Sequence, residues 1–317
     1  MKNILVTGSS GFVGKSLIHS LILNNEYQKI YALNRRHSHT LPEMVMQLVA
    51  TSEAIFSTPI PTDIDVIIHL AGRAHILNEK IKDPLQEFRK VNVEGTLQLA
   101  KQALENKVKR FIFISSIGVN GSSTNGKAFS EQDVPQPHAD YAVSKLEAEQ
   151  ALQKLFEDTE TELVIIRPPL VYDAHAPGNF ARLLKLASTN IPLPFVGVNN
   201  KRTFVALENL VNFIECCITH PLAKNELFLI ADTESLSTKQ LVTYLRQGMH
   251  KKAKLIYIPN FMMKLGALGI GKIKLYEQLF GSLEVDASKA RTLLGWQPPL
   301  DAEGALQNAG NKYIKVK

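Results

Sequence analysis

Three features of the sequence predict a doubly wound α/β fold, an open parallel sheet with helices on both faces. Short β-branched runs alternate with longer helical patterns through the first half, several of those runs are apolar on both faces, and the first enters a glycine-rich turn that opens a helix. At 317 residues, 45% hydrophobic and 21% charged, the chain is long enough for one large or two ordinary domains. That composition excludes a disordered chain, a collagen-like repeat and a disulfide-stapled module.

The elements follow in order. Strands are expected at Asn3–Thr7, Lys29–Leu33, Val45–Ala50, Asp65–Leu70, Arg110–Ser115 and Glu162–Arg167. Val66-Ile67-Ile68 and Phe111-Ile112-Phe113-Ile114 offer no polar face, as strands covered on both sides require. Helical periodicity lies between them, at Phe12–Leu23, Pro84–Asn106 and Tyr141–Phe156; Asp83-Pro84 is an N-cap followed by proline at the first helical position. After Arg167-Pro168-Pro169 the alternation gives way to proline-punctuated loops. Helices are expected there near Leu207–Thr219, Ser237–Gly248 and Asp286–Leu294, and strands near Leu227–Ala231 and Lys254–Tyr257. This reads as a Rossmann-type sheet over residues 1–167 and a smaller, interleaved C-terminal lobe over 168–317 that returns late strands to it.

Lys and Arg outnumber Asp and Glu by 36 to 30, a formal charge of +6. The excess fits an anionic small molecule; without an aromatic RNA-binding signature, zinc spacing or concentrated basic stripe, nucleic acid is not an expected partner. The adjacent Cys216 and Cys217 form no ordinary disulfide, and the apolar run in Asn3–Gly8 is too short for a signal peptide and goes straight into a glycine loop, so the expected location is the cytoplasm. Leu255 to Ile273 is the longest apolar stretch. Pro259, Asn260 and Lys264 break it too often for a membrane span, and it is expected to be a substrate-side core helix rather than a membrane-surface element. His19, His37, His39, His69, His75 and His138 read as packing or loop residues, without metal-ligand spacing.

Gly8-Ser9-Ser10-Gly11-Phe12-Val13-Gly14 joins the first strand to the first helix. Glycines there permit a tight turn and close backbone approach, so that a dinucleotide pyrophosphate can rest on the helix N-terminus. The end of the second strand decides the cofactor, since an acid binds the free ribose hydroxyls of NAD and an arginine accommodates the 2′-phosphate of NADP. Asn34-Arg35-Arg36 stands there, and the expectation is NADP(H), with NAD(H) as the alternative.

Tyr141 and Lys145, four apart at the start of a helix, share one face. An ammonium beside a phenol favours phenolate and makes it a usable acid or base. Ser115-Ser116 ends the fifth strand, at the sheet edge where ligands of open α/β folds collect.

Glycine loop, serine and Tyr/Lys helix, in that order, resemble the extended short-chain dehydrogenase/reductase family, and within it the nucleotide-sugar epimerases, dehydratases and 4-ketoreductases. Thr7-Gly8, His69-Leu70-Ala71-Gly72, Val91-Asn92-Val93-Glu94-Gly95-Thr96, Arg167-Pro168-Pro169-Leu170-Val171-Tyr172 and Leu294-Gly295-Trp296-x-Pro298 extend the likeness over essentially the whole chain. The resemblance implies that Leu70, Ala71 and Gly72 line the cofactor and Asn92 sits behind Lys145. Lys145 would hold the nicotinamide ribose, Tyr141 exchange a proton with the sugar 4-oxygen, and Ser116 hydrogen-bond that oxygen. Asn179 and Arg202 would bind the diphosphate of a UDP-linked sugar. A homodimer through the two long helices follows by analogy.

The chain departs from that family in several places. No acidic residue for adenine is evident in Leu48–Glu53, Asp173 replaces a common glycine, and a second diphosphate arginine lacks a counterpart near Tyr276–Asp286. Asn120 replaces a tyrosine common four residues beyond the serine, which would alter the sugar pocket, and Ser115-Ser116-Ile117 stands where dehydratases carry Thr-Asp-Glu. With Arg35 and Arg36, these lean towards a 4-ketoreductase. Phe261–Asp286, His69–His75 and Asn199–Arg202 most resemble bacterial reductases of a UDP-2-acetamido-2,6-dideoxy-4-hexulose, which form UDP-N-acetylquinovosamine or UDP-N-acetylfucosamine for surface polysaccharide. The alternative is a UDP-sugar 4-epimerase of the UDP-glucose or UDP-GlcNAc type; a non-catalytic cofactor-binding scaffold is the alternative of another class.

Overall fold

The computed structural model describes residues 1–50, 55–74, 83–269 and 271–315. Its first part runs β1 (Lys2–Thr7), α1 (Phe12–Asn24), β2 (Tyr27–Asn34), β3 (Met46–Val49), β4 (Val66–His69), α2 (Pro84–Arg89), α3 (Thr96–Glu105), β5 (Arg110–Ile114), α4 (Asp140–Phe156) and β6 (Glu162–Arg167). The rest comprises β7 (Leu170–Tyr172), α5 (Gly178–Ala187), β8 (Phe204–Ala206), α6 (Leu207–Thr219), β9 (Leu227–Leu229), α7 (Thr238–Gly248), α8 (Asn260–Gly269), α9 (Ile273–Phe280), α10 (Ser288–Leu294) and α11 (Ala302–Lys315).

Seven strands form one parallel sheet in the order β3-β2-β1-β4-β5-β6-β9. Successive residues of each central strand point to opposite faces, and both faces are dry. Ile4, Val6, Ile68, Ile112 and Val164 pack with α1 and α6, whereas Leu5, Ile67, Phe111, Phe113 and Ile165 pack with α3 and α4. Leu17, Ile18 and Leu21 of α1 are fully buried, each stabilising the fold by roughly 2 kcal/mol. A third core, with Tyr172, Phe180, Phe195, Phe204 and Leu245, holds the C-terminal lobe, and β7 pairs with β8 beside it.

The six expected early strands are present, and β9 joins the sheet from the C-terminal part. Two expectations need correction. The long helix Pro84–Asn106 is α2 and α3 joined by a wider π turn at Lys90–Gly95, with the Asp83 carboxylate accepting from Gln86 N (3.0 Å) at its start. Lys254–Tyr257 is not a strand. A single bridge joins Leu255 to Leu193, where Leu193 N donates to Lys254 O (3.0 Å) and Ile256 N to Leu193 O (2.9 Å), and Pro192 and Pro194 on either side of Leu193 carry no N–H to extend it into a ladder. His75 and Thr51–Glu53, where an adenine contact was sought, lie outside the described residues. Among the described residues no helix is long and apolar enough to cross a membrane.

Candidate active site

Strand order reverses between β1 and β4, which creates a crevice at their carboxyl ends. Gly8 follows β1 at φ +70°, and its carbonyl accepts from Gly11 N (2.9 Å). A Cβ at Gly8 would lie 2.8 Å from Ala71 N, and one at Gly14 would lie 2.2 Å from Gly8 O. Only glycines let loop, strand end and helix pack this closely. Gly11 caps α1 without a side-chain bond, leaving the helix's positive end to a ligand phosphate.

Thr7 and His69 are register partners at this edge. Thr7 Oγ1 accepts from Ala71 N (3.2 Å) and lies 2.7 Å from His69 Nδ1, while His69 Nε2 lies 2.9 Å from Thr96 Oγ1. Burial, with the Lys145 charge second, lowers His69 to about 3. His69 is therefore a neutral packing residue that holds Thr7, whose Oγ1 receives the Ala71 N–H.

β5 delivers Ser115 and Ser116 to the same edge, and α4 begins opposite with Tyr141 in its first turn. Gly8, Gly11, Phe12, Val13, Gly14, Leu70, Gly72, Ser116, Tyr141 and Lys145 line one cavity of about 290 Å³. Thus most of the expected cofactor residues and all three expected catalytic residues meet. Ala74, Ile114, Ser115, Pro168, Pro169, Val171 and Leu210 complete the wall. The prolines and Val171 belong to the Arg-Pro-Pro segment already singled out; Leu210, on a remote helix, has no sequence signal.

Lys145 is 2% exposed. Its Nζ donates to Ile114 O (2.8 Å) and sits 4.4 Å from the centre of the Phe113 ring. Burial lowers its pKa to about 8, against the raising effect of Glu149 one turn on. Burial also raises Tyr141 to about 12. The expectation of a phenol already drawn towards phenolate by Lys145 is corrected, because desolvation dominates and the ammonium is turned to a backbone carbonyl. Ser116 Oγ accepts from Gly118 N (3.1 Å), whereas Ser115 Oγ is buried without a partner.

Asn92 is held by three bonds: its amide donates to Ser144 Oγ (2.9 Å) and Arg73 O (3.1 Å), and its oxygen accepts from Arg73 N (2.8 Å). A Cβ at Gly72 would lie 3.3 Å from Asn92 Oδ1 and 3.4 Å from Lys145 Nζ, so these three residues converge. Asn120 does not face the sugar pocket as expected. It is buried, accepting from Arg167 Nη1 (2.9 Å) and donating to Ser130 O (3.0 Å), and Arg167 pairs in turn with Glu149 at 2.5 Å.

Asn179 and Arg202 are not on the cavity wall. Asn179 Nδ2 donates to Gln278 Oε1 (3.2 Å) and Arg202 Nη1 to Gly281 O (3.1 Å), so the α9 end tethers both.

Asn34 ends β2, buried, with its Oδ1 accepting from Ser9 Oγ (2.7 Å) and its Nδ2 unpartnered. A neutral amide with a spare donor beside a glycine cradle fits the hydroxyls of a dinucleotide ribose. Arg35 and Arg36 are exposed.

Residues 4–231 match the NAD dependent epimerase/dehydratase family. A UDP-glucose 4-epimerase of Vibrio cholerae is 39% identical over 99% of this chain and 96% of its own length. An N-acetyl-α-D-glucosaminyl-diphospho-ditrans,octacis-undecaprenol 4-epimerase of Escherichia coli O157:H7 is 29% identical over 84% of this chain and 77% of its own. Among solved structures, a Bacillus cereus UDP-glucuronic acid 4-epimerase in complex with NAD superposes with TM-score 0.77 at 23% identity, covering 99% of both chains. A dTDP-glucose 4,6-dehydratase of Bacillus anthracis, also in complex with NAD, does so at 0.74 and 18%, covering 100% of this chain and 97% of that one. These complexes overturn the expectation of NADP(H). The physical reason lies at β2, where the buried residue is the neutral Asn34 and the arginines taken as phosphate ligands point to solvent.

Proposed function

Because the chain belongs to the NAD dependent epimerase/dehydratase family, we propose that it is an NAD-dependent UDP-sugar 4-epimerase of the UDP-glucose or UDP-GlcNAc type. The observation that carries this reading is the meeting of Ser116, Tyr141 and Lys145 with the glycine cradle in one cavity, in a chain related end to end to a UDP-glucose 4-epimerase. The 4-ketoreductase expected from the sequence loses two supports, since Arg35 and Arg36 are solvated and Asn120 is turned away from the pocket.

Gly8, Gly11, Phe12, Val13 and Gly14 hold the pyrophosphate, Asn34 the adenosine ribose, Leu70–Gly72 and Asn92 the neighbouring wall, and Lys145 the second ribose. Bound NAD would supply the redox chemistry, as acceptor and then donor of the hydride of the sugar C4, and its positive charge would offset the burial that holds the Tyr141 phenol at about 12. Tyr141 takes the 4-hydroxyl proton at its Oη and gives it back, and Ser116 Oγ orients that oxygen. Asn179 and Arg202 bind the UDP diphosphate once released from α9. Residues 1–167 thus serve the cofactor and 168–317 the sugar nucleotide.

Purified protein is incubated with UDP-glucose or UDP-GlcNAc plus NAD, and separately with the 4-keto-6-deoxy sugar nucleotide plus NADH. Interconversion of the 4-epimers by NMR without net absorbance change at 340 nm is expected. Cofactor consumption with the keto sugar alone would establish the reductase instead. Tyr141→Phe is expected to lower turnover by about 10²–10⁴-fold with NAD binding retained.

A further inference from the structure

We propose that α8, with the basic segment leading into it, binds the surface of an anionic lipid bilayer. The sequence led us to expect a core helix here, yet no residue of α8 is buried. Phe261, Leu265 and Leu268, spaced four and three apart, form one stripe at 63–66% exposure, with Met262 beside it. Ile256 and Tyr257, ahead of the helix in sequence, are exposed as well. Half-buried Met263 and Ala267 mark the opposite side. A ten-residue helix is too short to cross a bilayer, but an apolar stripe of this kind suits the boundary between headgroups and acyl chains.

Charge selects the occupant. From Lys251 to Tyr276 the sequence contains Lys251, Lys252, Lys254, Lys264, Lys272 and Lys274 and no Asp or Glu, although the whole chain is close to balanced. Lys252, Lys254, Lys264 and Lys272 are exposed, with Lys264 on α8 itself, next to Leu265. Exposed apolar side chains in a segment whose charges are all cationic match an anionic headgroup layer, where each nearby lysine adds attraction as the side chains insert. The same single-sign charge opposes a two-fold contact with a second copy of the chain, because an isologous interface would bring like charges together. The hairpin of α8 and α9 also carries Gln278 and Gly281, which hold Asn179 and Arg202. The bilayer face and these two residues therefore belong to one structural unit. The surface does not depend on which reaction the cavity performs.

The test is flotation of the full-length protein with vesicles of phosphatidylglycerol and phosphatidylcholine, against phosphatidylcholine alone, at low and high salt. Binding to the anionic vesicles only, weakened by salt, is expected. Phe261→Asp with Leu265→Asp should reduce partitioning by about ten-fold or more, and Lys252→Glu with Lys254→Glu should weaken it at unchanged circular dichroism and thermal midpoint. The proposal is overturned if the wild type does not float, or if it floats equally with either variant. Sedimentation showing a dimer dissociated by Phe261→Asp with Leu265→Asp, without vesicle binding, would assign the face to a second copy and overturn it as well.

Discussion

Replacing Lys145 by methionine should remove activity while stabilising the ligand-free protein at neutral pH. Burial brings the ammonium from 10.5 to about 8, and a displacement of that size favours the neutral amine by about 3 kcal/mol. The substitution also gives up the bond to Ile114 O and the contact with the Phe113 ring, together worth about 2 kcal/mol. The net gain expected at pH 7 is about 1 kcal/mol. Its pH dependence is the sharper signature. Because the folded pKa lies below the unfolded one, the penalty is fully present below about 8 and is relieved as pH rises towards 10.5. Wild-type stability thus rises through that window relative to the variant, by up to about 3 kcal/mol, and the order of the two proteins reverses. Urea unfolding of both at pH 7 and pH 10 measures the difference directly. A difference that stays flat between those pH values would refute the buried, charge-disfavouring environment assigned to Lys145.

Gly14→Ala should abolish NAD binding in isothermal titration and lower the thermal midpoint, because its Cβ would fall 2.2 Å from Gly8 O; unchanged affinity would show that the loop is not the cradle. Arg35→Ala with Arg36→Ala should leave NAD affinity within about two-fold, as expected of exposed side chains away from the ligand. A large loss in the same titration would place an arginine on the cofactor after all. Glu149→Gln leaves the Arg167 guanidinium buried without its counter-charge, and urea unfolding should register a loss of about 3 kcal/mol or more. Wild-type stability in that variant would mean the pair is not desolvated.

The sheet was legible because its strands are buried on both faces and so carry unbroken apolar runs, and the glycine loop, Ser116, Tyr141 and Lys145 were legible because their spacing is set by a turn, a strand end and one helical repeat. What failed depends on surroundings that lie far away in the chain. Apolarity at Phe261–Leu268 says nothing of what covers it, and α8 proved to be uncovered. Lys254–Tyr257 has strand composition but pairs only through the single bridge at Leu255, beside two prolines. The Tyr141 phenol responds to desolvation, which a four-residue spacing does not encode, and the side chain at the end of β2 could be assigned only once Arg35 and Arg36 were seen in solvent.

The seating of β9 beside β6 has a consequence for biogenesis. During synthesis at about 5–20 residues per second, the roughly 60 residues between Arg167 and Leu227 separate the two strands by several seconds. Throughout that interval the Leu163–Ile166 edge emerges apolar and without its neighbour, a template for pairing with another nascent chain. A truncation after β6 would leave that edge without the neighbour that β9 provides.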